Sequence, residues 1–160
     1  VNMNFQYKSW DMSLFFNGSI GNDIFDYTAL YYETPYFFNG NRSTRVLDSW
    51  SPSNTDAALP ALSESITNNE FTLANSFFVR DGTYLRLRTL QIGYTLPDTI
   101  ASKLGASSAR IYYNGSNLLT LTDFPGLDPE VPRGGALDIG VYSAQYPTNA
   151  LQSIGININF

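Results

Sequence analysis

The sequence predicts an all-β fold made of the C-terminal strands of a large antiparallel transmembrane β-barrel, with long extracellular loops and short periplasmic turns. Stretches of about ten residues alternate between apolar and polar side chains, as strands with one lipid-facing side do. The connections between these stretches are alternately short and long. Only 14% of the 160 residues are charged, against about 25% in a typical soluble domain.

Composition excludes several classes of function. The chain has no Cys and no His, which excludes thiolate nucleophiles, Cys/His zinc sites and a Ser-His-Asp triad. The formal charge is −5 and no basic stripe is present, so nucleic acid is not an expected partner. No apolar run approaches the roughly 18 residues that a membrane helix needs. Without Cys and His, most familiar hydrolase chemistry is excluded, so we expect the chain to be non-catalytic. Any membrane-spanning segment would consist of β-strands.

The first two alternating runs predict a β-hairpin. Residues 5–7 and residues 10–16 each alternate between apolar and polar side chains. Lys8 and Ser9 lie between them, and two residues is the commonest loop length of a hairpin. Lys-Ser is not the Asn-Gly pair that a type I′ turn favours, so the prediction depends on spacing alone.

A third run, residues 84–96, changes its parity part-way. Leu90 and Ile92 share one face, but Leu85 and Leu87 have the opposite parity. A regular strand would therefore turn two arginines toward the apolar side. We predict a β-bulge near Arg88 and Thr89 that keeps all the leucines together.

The connection after this run predicts a short helix. Pro97 ends the strand, Asp98 is a candidate N-cap for a helix over residues 99–104, and Gly105 is a candidate for its C-terminal end.

Two further runs, residues 109–117 and 151–160, complete the pattern. Long loops, residues 20–76 and 122–149, lie on the other side. Four complete strands and the end of a fifth cannot close a membrane barrel, whose smallest single-chain form has about eight. We expect residues 1–160 to be the C-terminal part of a larger barrel, with any preceding domains outside this chain.

Several short blocks in order carry a family resemblance. They are residues 10–16 (WDMSLFF), 50–54 (WSPSN), 84–88 (YLRLR), 92–97 (IGYTLP), 103–105 (KLG), 117–119 (NLL) and 126–130 (GLDPE). Each block alone is weak, but their order and distances fit one family. The chain resembles the closing segment of SusC/RagA-type TonB-dependent outer-membrane transporters.

The resemblance implies a bacterial outer-membrane barrel of about 22 strands around a plug. Its implied partners are the remainder of the barrel and plug, the lipid bilayer, a SusD-like surface lipoprotein that acts as a lid, and TonB through the missing N-terminal part. The implied activity is uptake of glycans, peptides or other nutrients in Bacteroidota. The terminal strand resembles the signal read by the barrel-assembly machinery, which gives that role to Ile154, Ile156, Ile158 and Phe160.

The first long loop contains six aromatic candidates for contact with a lid or a ligand: Tyr27, Tyr31, Tyr32, Tyr36, Phe37 and Phe38. Packing among themselves is the favoured alternative, because aromatic clusters commonly form the cores of large loops. Four acidic residues make the second loop a weak candidate for calcium: Asp123, Asp128, Glu130 and Asp138. Turn formation is the favoured alternative there. No cofactor is otherwise expected.

Two other functional classes stay open at this point. Asp23 and Asp26 are a paired-carboxylate candidate for glycoside hydrolysis, which would make the chain an enzyme. A secreted carbohydrate-binding β-sandwich is the other alternative, and it would bury the apolar strand faces against a second sheet and be soluble without detergent.

Overall fold

The computed structural model describes residues 1–34, 40–62, 73–131 and 138–160. The chain divides into two compact units. The first comprises Val1–Ile20, Thr83–Asp123 and Pro147–Phe160, and the second comprises Gly21–Gly82 and Phe124–Tyr146. Within the described ranges, no helix has the length and apolarity required to cross a membrane.

Strands dominate the described residues. In chain order they are β1 (Asn2–Tyr7), β2 (Trp10–Ser19), β3 (Asp23–Asp26), β4 (Val79–Asp81), β5 (Tyr84–Thr95), β6 (Ser108–Thr122), β7 (Val141–Tyr142) and β8 (Leu151–Asn159). The helices are α1 (Tyr27–Tyr32) and α2 (Asp98–Ala101), with 3₁₀ turns at Thr44–Asp48, Ser76–Phe78 and Ser102–Leu104.

The first unit is a five-stranded antiparallel sheet. Its strand order is β1-β2-β5-β6-β8, so neighbours in the sheet follow each other along the chain of this unit. This confirms the predicted all-β antiparallel fold and the four strands preceded by the end of a fifth. β1 and β8 are the two edge strands, and in the described chain each pairs on one side only.

The predicted hairpin is present. Tyr7 pairs with Trp10, which leaves Lys8 and Ser9 as a two-residue turn. Lys8 has a φ of 52°, a left-handed conformation that costs a residue with a Cβ about 1–2 kcal/mol. The turn therefore places a lysine at a position that favours Gly or Asn.

The predicted bulge is also present. The register between β2 and β5 steps from Thr89 to Leu87, so Arg88 is the extra residue. The register between β5 and β6 shifts at the same place. Leu87 and Leu90 thereby share the apolar face despite their opposite parity, and Arg86 remains on the polar face.

The connector between β5 and β6 differs from the prediction at its start. Asp98 does not cap a helix, because it is itself the first residue of α2 and Pro97 occupies the N-cap position without a side-chain hydrogen bond. Pro97 has a φ of −58°, and its ring presets this angle for chain entry. The predicted end is correct, since Gly105 has a φ of 70° and ends the 3₁₀ turn that follows α2.

The second unit contains a small sheet that the alternation pattern did not predict. Its strand order is β4-β3-β7, with β3 and β7 parallel. Phe78, the largest fully buried side chain in the described chain, packs with Ala29 and Leu30 of α1. A second small cluster joins Ile24, Phe124 and Tyr142. The long loops therefore fold around their own apolar contacts.

Candidate functional site

One face of the five-stranded sheet carries two successive rows that are apolar across all its strands. Directly opposed residues of an antiparallel pair lie on the same face, so the register shows which side chains lie together. One cross-strand row consists of Phe5, Met12, Ile92, Tyr113 and Ile154. The next row towards the short turns consists of Tyr7, Trp10, Tyr94, Ile111 and Ile156.

The apolar face is open at the edge strand β8. Ile154 is 78% exposed, Ile156 is 61% exposed and Phe160 is 89% exposed, and Ile158 is exposed as well. Monomeric soluble proteins rarely expose continuous apolar patches of this kind. A β-sandwich would bury these side chains against a second sheet, and the exposed isoleucines do not fit that alternative.

The opposite face is mainly polar, although one further row contains Phe15 and Leu151. One of its rows consists of Asn4, Ser13, Gln91, Asn114 and Ser153. A second consists of Gln6, Asp11, Gly93, Tyr112 and Gly155. These side chains are mostly uncharged hydrogen-bonding groups, which suit contact with water or with a polar protein surface. The sheet thus has two chemically different sides, as the alternation predicted.

A charged pair spans the polar face over three strands. Arg110 of β6 donates to Asp11 of β2 through Nε to Oδ1 at 2.9 Å and through Nη2 to Oδ2 at 2.5 Å. The guanidinium passes over Gly93 of the intervening strand β5, where a Cβ would lie 2.2 Å from Nη2. Gly93 is therefore the opening through which the bidentate pair forms.

Tyr112 continues this cluster toward the edge strand. The guanidinium carbon of Arg110 lies 5.4 Å from the centre of the Tyr112 ring, within the range of a cation–π contact. The same ring covers Gly155 of β8, where a Cβ would lie 2.4 Å from it. Sequence reasoning did not find this cluster, because Asp11 and Arg110 are 99 residues apart. A glycine within a strand was the available signal.

Beyond the bulge, Arg86 lies on the same polar side. It is 2% exposed, and its Nε donates to Thr120 Oγ1 at 2.9 Å. Its guanidinium carbon is 5.7 Å from the centre of the Tyr84 ring. The bulge at Arg88 thus places a buried arginine where polar partners exist.

The loop aromatic residues divide into packed and exposed members. Tyr27 and Tyr31 pack edge-to-face with ring centres 5.1 Å apart, and their hydroxyls are 2.7 Å apart. This hydrogen bond raises the pKa of Tyr31 above its ordinary value. Tyr32 is exposed. The other three candidates, Tyr36, Phe37 and Phe38, lie outside the described residues.

Carboxylates of the loops make local turns and caps. Asp26 Oδ1 accepts from the backbone N of Ala29 at 3.2 Å, and Asp26 is the N-cap of α1. Asp23 is exposed in β3, so the two do not form a buried acid pair. Asp128 Oδ1 accepts from the backbone N of Glu130 at 2.9 Å. The portion of the chain that is described holds no group of three acidic or other metal-binding side chains that could surround an ion.

Comparison with known proteins identifies the family. No protein-family model matches the chain. TonB-dependent receptor P3 of Formosa agariphila is 34% identical over 165 residues, which cover 99% of this chain and 16% of the receptor. TonB-dependent receptor P26 of the same organism is 32% identical over 96% of this chain. The chain belongs to the TonB-dependent receptors.

This membership makes the chain part of an outer-membrane protein. It spans about one sixth of the length of the curated relatives it matches. The fold agrees with that of a solved structure: the structure of the RagAB peptide transporter superposes with a TM-score of 0.77 at 24% identity, over 97% of this chain and 16% of that one. A RagAB peptide importer structure in the closed-closed state gives the same TM-score over 99% of this chain.

Proposed function

We propose that residues 1–160 form the C-terminal part of the barrel of an outer-membrane nutrient importer, with the apolar face of the five-stranded sheet against lipid. The observation that carries the proposal is the division of one sheet into a mainly apolar side and a mainly polar side, each with rows that cross all five strands. A transmembrane barrel needs this division, because its outer side meets hydrocarbon and its lumen meets water. The polar face then lines the lumen or contacts the plug.

The length of the strands supports the same role. β2 has 10 residues and β5 has 12, and a tilted membrane strand needs about 9–11. Both edges of the sheet require further strands, since unpaired backbone groups cost several kcal/mol each in hydrocarbon. The remaining five sixths of a receptor of this family would supply them.

In this proposal the chain is not catalytic, and its substrate is a glycan or a peptide taken up through the whole receptor. The name of the RagAB transporter supports peptide, and the uncharged polar face is compatible with either. We propose turn formation rather than calcium binding for the acidic loop residues, since the carboxylate of Asp128 already accepts a backbone hydrogen bond. No cofactor is assigned to this part of the receptor.

Growth tests the proposed transport. The full-length gene that contains this segment is deleted in its native bacterium, and the strain grows on peptides or on glycans as the only carbon source. We expect a loss of growth on one of these nutrients that the intact gene restores and a gene lacking residues 151–160 does not. Unchanged growth and uptake on every nutrient of both classes would contradict the importer role.

A SusD-like surface lipoprotein is the proposed partner of the second unit, the loop unit, which comprises Gly21–Gly82 and Phe124–Tyr146. Tyr32 of α1 is exposed, whereas Tyr27 and Tyr31 contact each other, so Tyr32 is the residue available to a lid. A photo-crosslinking residue at Tyr32 in the full-length receptor should capture the co-expressed lipoprotein. The same residue at Leu47, which is also exposed in this unit, is the control. Equal capture at both positions would remove the proposed contact.

A further inference from the structure

The lysines of this chain are confined to its short connections. The sequence contains two, Lys8 and Lys103, while its other basic residues are arginines. Lys8 lies in the turn between β1 and β2, and Lys103 lies in the connector between β5 and β6. Both connections are at the same end of the sheet, because the backbone N of Thr95 donates to the carbonyl oxygen of Ser9 at 2.8 Å.

Lys8 sits beside the aromatic row of the apolar face. Its Nζ lies 5.4 Å from the centre of the Tyr7 ring, and the neighbouring Trp10 and Tyr94 rings are 4.8 Å apart. Lys8 also holds a left-handed backbone conformation in a position that favours Gly or Asn. The cost of this conformation is consistent with a role of the Lys8 side chain outside the turn.

Lys103 sits beside exposed apolar side chains. Ile100 in α2 and Leu104 in the 3₁₀ turn that follows it are both exposed large hydrophobic residues. The connector thus offers exposed apolar side chains and one cation. This composition resembles, on a small scale, the surfaces that lie at a lipid interface.

Neither lysine has a carboxylate partner among the described residues. Asp11, the acidic residue nearest Lys8 along the chain, is held by Arg110 in a bidentate pair. Both ammonium groups therefore remain available to an anion. Aromatic rings and long cationic side chains together mark the depth of lipid headgroups, where the ring stays near hydrocarbon and the charge reaches the phosphate.

We propose that the short-turn end of the sheet binds the phosphate groups of anionic phospholipids through Lys8 and Lys103. The occupant is a lipid rather than a free phosphate, because the exposed side chains of Tyr7, Ile100 and Leu104 adjoin the cations and can contact acyl chains, which a free phosphate lacks. The inference rests on the proposed placement of the apolar face against lipid. It adds a specific lipid chemistry at one rim of that face.

Native mass spectrometry of the delipidated full-length receptor in detergent tests this inference. The protein is titrated with phosphatidylglycerol, with phosphatidylcholine and with inorganic phosphate. We expect Lys8→Gln and Lys103→Gln each to weaken phosphatidylglycerol binding about fivefold, in line with the contribution of one cation near an anionic lipid surface. Phosphatidylcholine binding should change little, and Lys8→Arg should retain the preference for phosphatidylglycerol.

Arg45→Gln is the control variant, because it also removes one positive charge but lies in the loop unit. The inference is overturned if both lysine variants bind phosphatidylglycerol as well as the unaltered receptor does. It is also overturned if inorganic phosphate displaces the lipid at equal concentration, which would indicate a site for free anions. A receptor that stays soluble and folded without detergent or lipid would instead refute the membrane placement itself, so the two failures are distinguishable.

Discussion

At the scale of single residues, the polar face depends on Gly93, which has no side chain that would block the contact between Arg110 and Asp11. The guanidinium of Arg110 crosses β5 at this position to reach Asp11. The pair is partly exposed, with side-chain exposures of 25% for Arg110 and 40% for Asp11, so solvent reduces its contribution to stability. Its main effect is geometric, since it links β2 to β6 across the strand that separates them.

The first prediction concerns this link. Gly93→Ala should displace the guanidinium of Arg110 and cost about as much as Arg110→Gln, roughly 0.5–1 kcal/mol for a partly exposed pair. The two changes should not add, because each removes the same interaction. Urea unfolding of the full-length barrel in lipid vesicles measures both variants and their combination. Additive costs would show that Gly93 matters for another reason.

Sequence reasoning could not have found this pair. Alternation is a local property, and it correctly assigns Asp11 and Arg110 to polar positions of their own strands. The pairing needs the sheet order, which joins residues from β2 and β6 that are 99 positions apart. The same limit applies to Tyr112 over Gly155, since that contact joins β6 to β8.

At the scale of elements, the bulge at Arg88 decides which side chains β5 presents to each face. Leu87 pairs with Phe16 and Leu119, and all three belong to the apolar face. Arg86 pairs with Asn17 and Thr120 on the other face. A regular strand with the same number of residues would place Leu87 on the polar face and Arg86 on the apolar face.

Deletion of Arg88 should therefore be compatible with barrel assembly. Without the extra residue, regular alternation still keeps Leu87 with Leu90 on the apolar face and Arg86 on the polar face. Leu87→Arg should prevent assembly, because a charged side chain toward hydrocarbon costs about 2–4 kcal/mol at mid-depth. Heat-dependent mobility of the full-length receptor in gels of outer-membrane fractions reports the folded barrel for both variants. A deletion variant that fails to fold, or a Leu87→Arg variant that folds normally, would contradict the assignment of the two faces.

Depth along the strands gives a third prediction. Ile156 shares its row with Tyr7, Trp10 and Tyr94, so it lies near the rim rather than at mid-depth. Leu90 lies two rows further from the short turns. Leu90→Arg should cost about 2–4 kcal/mol, and Ile156→Arg about 1 kcal/mol or less, because the cost of a cation falls toward the interface.

The control for depth is Asn157→Ser, which changes a polar-face residue next to Ile156 and should be mild. Unfolding in lipid vesicles ranks the three variants. Equal costs of Asn157→Ser and Leu90→Arg, or equal tolerance of the two arginine variants, would contradict the placement of the apolar face against lipid.

The elements that sequence predicted are those with long alternating patterns. The hairpin, the bulge and β8 follow from period-two patterning over six to twelve residues. The strands β3, β4 and β7 have only four, three and two residues, which is too short for a periodic pattern. Their pairing is stabilised by contacts such as those of Ile24 with Phe124 and Tyr142, which local sequence does not indicate.

At the scale of the whole molecule, this chain is one part of an outer-membrane receptor. It spans about one sixth of its curated relatives, and its two edge strands need partners for their backbone groups. β8 ends beside the start of β6, where the backbone N of Ser107 donates to the carbonyl oxygen of Asn159 at 2.7 Å. Phe160 follows and is almost fully exposed.

Deletion of Phe160 should lower the amount of assembled receptor. The terminal strand is proposed to act as an assembly signal, in which edge pairing gives attachment and the alternate apolar side chains give recognition. Phe160→Tyr keeps an aromatic ring and is the matched variant. Quantitative surface labelling of cells with each variant measures the outcome. Normal surface abundance after the deletion would exclude this role for Phe160.

The most direct measurement of the central claim is solvent accessibility along β5. The chain has no cysteine, so single cysteines at positions 90, 91, 92, 94 and 95 of an otherwise cysteine-free full-length receptor can carry spin labels in a lipid bilayer. We predict that labels at Leu90, Ile92 and Tyr94 collide with oxygen dissolved in lipid, while labels at Gln91 and Thr95 do not. Accessibility to a water-soluble quencher along the whole strand, or no alternation at all, would contradict the claim.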